Sequence, residues 1–155
     1  MEIEIIEKQN QSLFVYNEGE LLFYSTVKFN WISRIIKIYN PYDVLALELK
    51  YGSFFQKSTY LILHQNKFMT KLISDIDSKI LIFDNNKRLL AKSAHFFSLS
   101  HNFNYFFEGK IIAQVKQNIF SIQTKYLLNV NDENLELLDQ IIFHLLSIKT
   151  GYSVD

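Results

Sequence analysis

A chain of 155 residues is the size of one domain, and 48% hydrophobic and 15% aromatic residues give it enough apolar surface to offset the entropy of ordering, which excludes global disorder. Its 16 basic and 16 acidic side chains cancel, so the long-range positive field of a nucleic-acid binder is missing and an anionic partner has to be met by a local patch. Cysteine is absent, which excludes disulfides, thiolate metal sites and cysteine nucleophiles.

The opening stretch Met1-Glu2-Ile3-Glu4-Ile5-Ile6-Glu7-Lys8 alternates charge with isoleucine. That is the period of a half-buried strand, not the basic start and unbroken apolar run of a secretory signal. Short runs rich in Ile, Leu, Val, Tyr and Phe then recur between turn-like clusters, predicting twelve strands: 2–8, 12–16, 20–28, 33–39, 43–50, 59–64, 67–74, 79–84, 88–95, 103–107, 110–117 and 121–130. With four glycines and one proline, most turns must be made by Asn and Asp, whose short side chains bond nearby backbone and tolerate left-handed conformations. Asn17-Glu18-Gly19, Asn40-Pro41-Tyr42-Asp43, Gln65-Asn66-Lys67, Asp84-Asn85-Asn86-Lys87 and Glu108-Gly109-Lys110 each separate two apolar runs, which points to antiparallel hairpins. Nothing in the composition marks a linker, so residues 1–155 read as one domain.

After Asn131-Asp132 the period changes. Leu135, Leu138, Ile141, Ile142, Leu145, Leu146 and Ile148 recur at helical spacing, predicting a helix over about 133–149 that stops at Thr150-Gly151. Its apolar arc covers roughly half the circumference, wider than the stripe of a surface helix, leaving Glu136, Gln140, His144 and Ser147 as a narrow polar strip. Such a helix has to be covered deeply, and Leu135, Leu138, Ile141, Ile142, Leu145 and Leu146 are the residues expected to form an enclosed core. No window approaches the run of about 18 apolar residues that a spanning helix requires.

The stretch Glu108-Gly109-Lys110-Ile111-Ile112-Ala113-Gln114-Val115-Lys116, followed by Lys125-Tyr126-Leu127-Leu128-Asn129-Val130 and the Leu-rich helix, resembles the C-terminal half of tubby-like domains, in particular their LURP-one-related branch. Ile38-Tyr39-Asn40-Pro41-Tyr42-Asp43-Val44-Leu45 looks like that family's "D-x-x-G-x-x-V" hairpin without its glycine. The resemblance covers residues 105–149 best. It implies a mostly β fold, a twelve-stranded antiparallel barrel of tubby-like type with the C-terminal apolar helix enclosed by the barrel. Relatives include phosphoinositide-binding tubby proteins and phospholipid scramblases, so it also implies a lipid-facing role. The chain departs from those relatives in lacking the cysteines through which scramblases are acylated and any stretch like the basic phosphoinositide-binding motif of tubby.

Motifs for chemistry are missing. His64, His95, His101 and His144 show no metal-ligand spacing; a satisfied buried network is the preferred reading of His144. Asp75-Ile76-Asp77-Ser78 lacks the glycine and the downstream glutamate of a calcium loop and reads as a solvated turn. No phosphate loop, nucleophile elbow, cofactor motif or metal motif is present, so no enzymatic activity is expected. The one suggestive surface candidate is Lys28-Phe29-Asn30-Trp31-Ile32-Ser33-Arg34, where the only tryptophan sits between two cations, a combination suited to a lipid headgroup boundary through Lys28, Trp31 and Arg34. The competing and favoured reading makes Trp31 and Ile32 core side chains that cap one barrel end, because large aromatics are mostly buried.

These residues lead to a non-enzymatic binding module, cytoplasmic or membrane-peripheral, with an anionic lipid surface or a protein as partner and no nucleic acid. The alternative is a lipocalin-like carrier with an apolar ligand in an open lumen. The first requires a filled interior and the second an empty one. An excess of strands over eight, the wide apolar arc of the helix and the absence of glycine two residues before Trp31 speak against the carrier.

Overall fold

The computed structural model describes residues 1–54, 57–67, 71–93, 102–118 and 122–151. Twelve strands form one sheet: β1 (Glu2–Glu7), β2 (Leu13–Asn17), β3 (Glu20–Phe29), β4 (Ser33–Tyr39), β5 (Leu45–Phe54), β6 (Lys57–Gln65), β7 (Ile73–Ile76), β8 (Ile80–Phe83), β9 (Arg88–Ser93), β10 (Phe103–Phe107), β11 (Lys110–Asn118) and β12 (Lys125–Val130). Their order is β6-β5-β4-β3-β2-β1-β12-β11-β10-β9-β8-β7, and each is antiparallel to its neighbours. Two six-strand meanders are thus zipped together by the pairing of β1 with β12, where Ile3 faces Leu128 and Ile5 faces Tyr126.

The turns use the chemistry the composition demanded. Glu18-Gly19 and Glu108-Gly109 take positive φ in pairs (49° and 83°; 50° and 79°), the geometry of two-residue hairpins whose twist matches the flanking strands. Asn40 Oδ1 accepts from the backbone N–H of both Tyr42 and Val44 at 3.0 Å, and Asp77 Oδ1 accepts from Lys79 and Ile80 at 2.7 and 2.9 Å.

The sheet curls into a nearly closed barrel. The seam lies between β6 and β7, which sit side by side without a backbone ladder. One side chain bridges it: Gln65 Nε2 donates to the Ile73 carbonyl at 2.8 Å while its Oε1 accepts from the Ile73 N–H at 2.9 Å, so the amide stands in for a peptide unit of a neighbouring strand.

An eight-stranded barrel is already filled by its own side chains, and twelve strands leave room for a further element about 10 Å across. That element is the helix α1 (Leu138–Lys149), about 18 Å long against about 20 Å for a six-residue strand. Residues 140–147 are buried without interruption, more than two full turns, so no side of the helix reaches water. Ile141, Ile142, Phe143, Leu145 and Leu146 pack on inward side chains such as Ile3, Ile5, Val15, Ile36, Ile38 and Leu128, and Phe23 meets Phe143 edge to face with centroids 4.9 Å apart. Leu135 and Leu138 are half-buried at the mouth and pack against this core.

Several boundaries differ from expectation: β5 runs on to Phe54 where 50 was expected, β12 starts at Lys125 where 121 was expected, and two further differences change the path of the chain. The helix does not begin at 133: Asp132–Leu137 forms 3-10 turns interrupted at Asn134 (φ −119°), which redirect the chain from β12 into the lumen. The strand expected at 67–74 is β7 at Ile73–Ile76, with residues 68–70 outside those described.

An aspartate at a wholly buried helical position would carry an unpaired carboxylate into the lumen. Leu145→Asp is therefore expected to abolish cooperative folding, read by circular dichroism and urea titration; a soluble variant with a sharp melt would be incompatible with an enclosed helix. Gln65→Leu leaves the Ile73 N–H and carbonyl without their partners and is expected to cost roughly 1–3 kcal/mol in urea denaturation.

Candidate functional site

The helix divides the barrel into an entry end, where residues 131–137 turn inward, and an exit end, where α1 stops. Odd-numbered strands run toward the exit, so the β1–β2, β3–β4, β7–β8 and β11–β12 connections cluster there.

The exit stop is built from polar groups. Thr150 N–H closes onto the Leu146 carbonyl at 3.0 Å, Gly151 adopts φ 72° as a left-handed cap, and the Thr150 hydroxyl meets Ser25 Oγ at 2.6 Å. A side chain at Gly151 would be strained, since its φ is left-handed and a Cβ would sit 3.0 Å from Val27 Cγ2 and 3.1 Å from Phe29 Cζ, close enough that those side chains would have to give by a few tenths of an ångström. Arg34 completes the cap. Its strand period places it on the inner face with Ile36 and Ile38; it is buried, donates from Nη1 to the Gly151 carbonyl at 3.3 Å and lies 4.4 Å over the Tyr51 ring. The cation thus sits at the negative end of the helix dipole. This corrects its assignment as a surface cation: Arg34 faces the barrel interior and turns away from Lys28 and Trp31.

Trp31 and Ile32, expected as capping core residues, are instead the tip of the β3–β4 hairpin, 101% and 69% exposed. The backbone explains why they project. Asn30 N–H donates to the Ser33 carbonyl at 2.7 Å and Asn30 Oδ1 accepts from the Trp31 N–H at 3.0 Å, closing the turn so that Phe29 and Arg34 remain opposite each other and the residues between stand clear of the rim. Phe29 is 54% exposed and Lys28 is exposed beside it. On another exit loop Ile122 is 109% exposed. The strand expected at 121–130 included Ile122, but β12 begins at Lys125, which leaves Ile122 in the connection before it.

Between the β1–β2 and β11–β12 connections runs an open groove of about 830 Å³, lined by Lys8, Phe14, Tyr24, Thr26, Ile122 and Gln123 among others. Its aromatic floor continues outward as a cross-strand stack: Phe14, Tyr24 and Tyr39 lie nearly parallel at centroid spacings of 5.4 and 5.2 Å. Lys8 closes one end, 4.5 Å above the Phe14 ring, and donates to the Tyr16 hydroxyl at 2.6 Å. Tyr24 donates to Asp43 Oδ1 at 2.5 Å, and that carboxylate pushes the phenol up to about 12.

The interior holds a polar strip whose groups bond one another and the backbone. His144 is fully buried; its Nε2–H donates to the Asp77 carbonyl at 2.8 Å, which leaves Nδ1 to accept from the Tyr105 hydroxyl at 2.8 Å. Desolvation holds the imidazole down at about 4 and pushes the Tyr105 phenol well above its usual value, so both are neutral and both are spent on each other. Gln140 donates to the Lys71 carbonyl at 3.1 Å. Lys71 and Asp77 flank β7, so the helix uses its polar strip to grip the short strand at the seam from inside. His64 is exposed on β6, and His95 and His101 lie outside the described residues. Among the described residues, no group of three or more His, Asp or Glu is arranged to hold a metal ion, and no helix is long and apolar enough to cross a membrane.

Comparison with family models, with curated proteins and with solved structures finds no match for the chain.

The folded state binds His144 only in its neutral form, with a folded pKa near 4 against about 6.5 unfolded. The stabilisation from its network is complete above pH 6.5 and is lost as pH falls toward 4, by about 3 kcal/mol. Urea midpoints at several pH values are expected to fall more steeply across that window for the wild type than for His144→Gln; parallel slopes would assign the acid sensitivity elsewhere. Arg34→Ser, which removes a charged donor from the helix stop, is expected to cost about 2 kcal/mol, while Lys28→Ser leaves the melting temperature within a degree or so.

Proposed function

We propose that the chain is a non-catalytic binding module of tubby-like kind that contacts a lipid headgroup layer, from the cytoplasmic side, through the exit rim of its barrel. The observation that carries this reading is Trp31, fully exposed beside Ile32 at the tip of a hairpin whose turn is fastened by Asn30. A water-exposed indole with an apolar neighbour gains most at an interface that is apolar on one side and polar on the other, and the ammonium of Lys28 just behind it suits the phosphate level of such an interface. The pinned backbone matters as well, because a rigid projection loses little entropy on insertion.

The carrier reading needs a lumen, and here the space is taken by α1, with Ile141, Ile142, Leu145 and Leu146 in the positions an apolar ligand would occupy. The buried His144 and Tyr105 satisfy each other, so that pair lends no support to a catalytic reading.

Trp31 is the only tryptophan, so its emission reports the contact directly. Adding vesicles of phosphatidylcholine with phosphatidylserine is expected to shift that emission to the blue and to sediment the protein, and Trp31→Ala is expected to lose sedimentation at an unchanged melting temperature. Unshifted emission with the protein left in the supernatant would remove the lipid reading. A lipid extracted at one-to-one stoichiometry from the purified protein would instead revive the carrier.

A further inference from the structure

The zero net charge of the chain conceals a separation along the barrel axis. Alternate turns fall at opposite ends, and they carry opposite charge. The exit end gathers Lys8, Lys28, Lys79, Lys92 and the half-buried Lys149, with Lys125 one step below and paired to Glu4 at 3.2 Å. Among the described residues its acids are Glu7 and Asp77, and the Asp77 carboxylate is engaged by the backbone N–H groups of Lys79 and Ile80. The entry end gathers Glu18, Glu20, Asp43, Asp84, Asp132 and Glu133. Of its cations among the described residues, Lys71, Lys87 and the Met1 ammonium are paired with Glu136, Glu108 and Asp132, leaving Lys67, Arg88 and Lys110 against the surplus of acids.

We propose that this dipole directs the exit rim onto an anionic bilayer, end-on, with Trp31 and Ile122 as two separate insertion points. The proposal rests on the rim reading above and adds the charge of the surface, the orientation and the second anchor. The ends of the barrel are about 20 Å apart, more than twice the screening length of about 8 Å at physiological salt, so a surface touching the exit rim feels its lysines and hardly any of the distant carboxylates. Approach by the other end is repelled. Trp31 lies between β4 and β3 and Ile122 between β12 and β11, four strand spacings or about 19 Å apart around the rim. Two anchors at that separation, each on its own loop, hold the barrel upright where one would let it tilt. Lys8, fixed over Phe14, sits in the interval between them.

The test compares vesicles of phosphatidylcholine alone with vesicles containing a minority of phosphatidylserine, across a salt series, using sedimentation and Trp31 emission. Binding is expected on the anionic vesicles, weakening with salt, and weaker by about five-fold for each of Lys28→Ser and Lys79→Ser. Ile122→Ser is expected to weaken binding, and Glu133→Gln at the far end to leave it unchanged, with all four variants melting like the wild type. Equal binding to both vesicle types without salt dependence would overturn the charge proposal while leaving the Trp31 contact standing. Binding to neither would overturn both. Anionic binding indifferent to Ile122→Ser would overturn the second anchor.

Discussion

Everything in this molecule depends on filling a lumen. Twelve antiparallel strands enclose more space than their own side chains occupy, and an apolar void of that size would forfeit the dispersion and transfer energy on which a marginally stable domain relies. The chain meets the constraint with its own last helix, so one segment serves as the hydrophobic core of all the others. This explains why α1 is apolar over so much of its circumference and why its few polar side chains are tied down: Gln140 Nε2 to Lys71, His144 to Asp77 and Tyr105, and Ser147 back to Phe143, with Gln140 Oε1 alone among them left without a partner. It also pushes recognition outward. With the lumen occupied, a partner has only the outer face and the two rims to meet.

The same filling solves the sheet's weak point. β6 and β7 are its two edges, and an edge left open is a template for unwanted pairing. Here the gap is closed from three directions, by the Gln65 amide in the plane of the sheet and by Gln140 and His144 from within. The polar strip of the helix is therefore neither a relic nor a catalytic device. It holds the shortest pair of strands in place where the backbone ladder stops.

Much of this was legible in the residues. Strand positions could be read because Asn, Asp and Gly punctuate the apolar runs, and the helix because its period differs from everything before it. β7 was displaced for a definite reason: a bulge between Ile73 and Asp75 spaces the buried residues Ile73 and Ile76 by three, which breaks the alternation on which the reading relied. The inward course of Arg34 was available from parity with Ile36 and Ile38, yet its charge argued for the surface and was given more weight. Trp31 went the other way, since the general tendency to bury large aromatics says nothing of a hairpin tip that a single asparagine fastens outside the barrel. Ile122 fell inside the strand expected at 121–130, whereas β12 begins only at Lys125 and leaves it in the connection. The axial charge separation required the strand directions, because composition reports only a sum.

The pairing of β1 with β12 sets the order in which the structure can be assembled. Ile3 and Ile5 have their partners Leu128 and Tyr126 more than a hundred residues away, and no part of the first meander can meet them until that segment has been synthesised. Until then the first six strands form a curved sheet with a bare apolar concavity, and the helix that will cover it has yet to emerge. Growth toward the C-terminus thus leaves the future interior uncovered until β12 and α1 have been made, and enclosure arrives as one long-range event. Such a topology folds slowly and leaves its nascent form dependent on protection from aggregation.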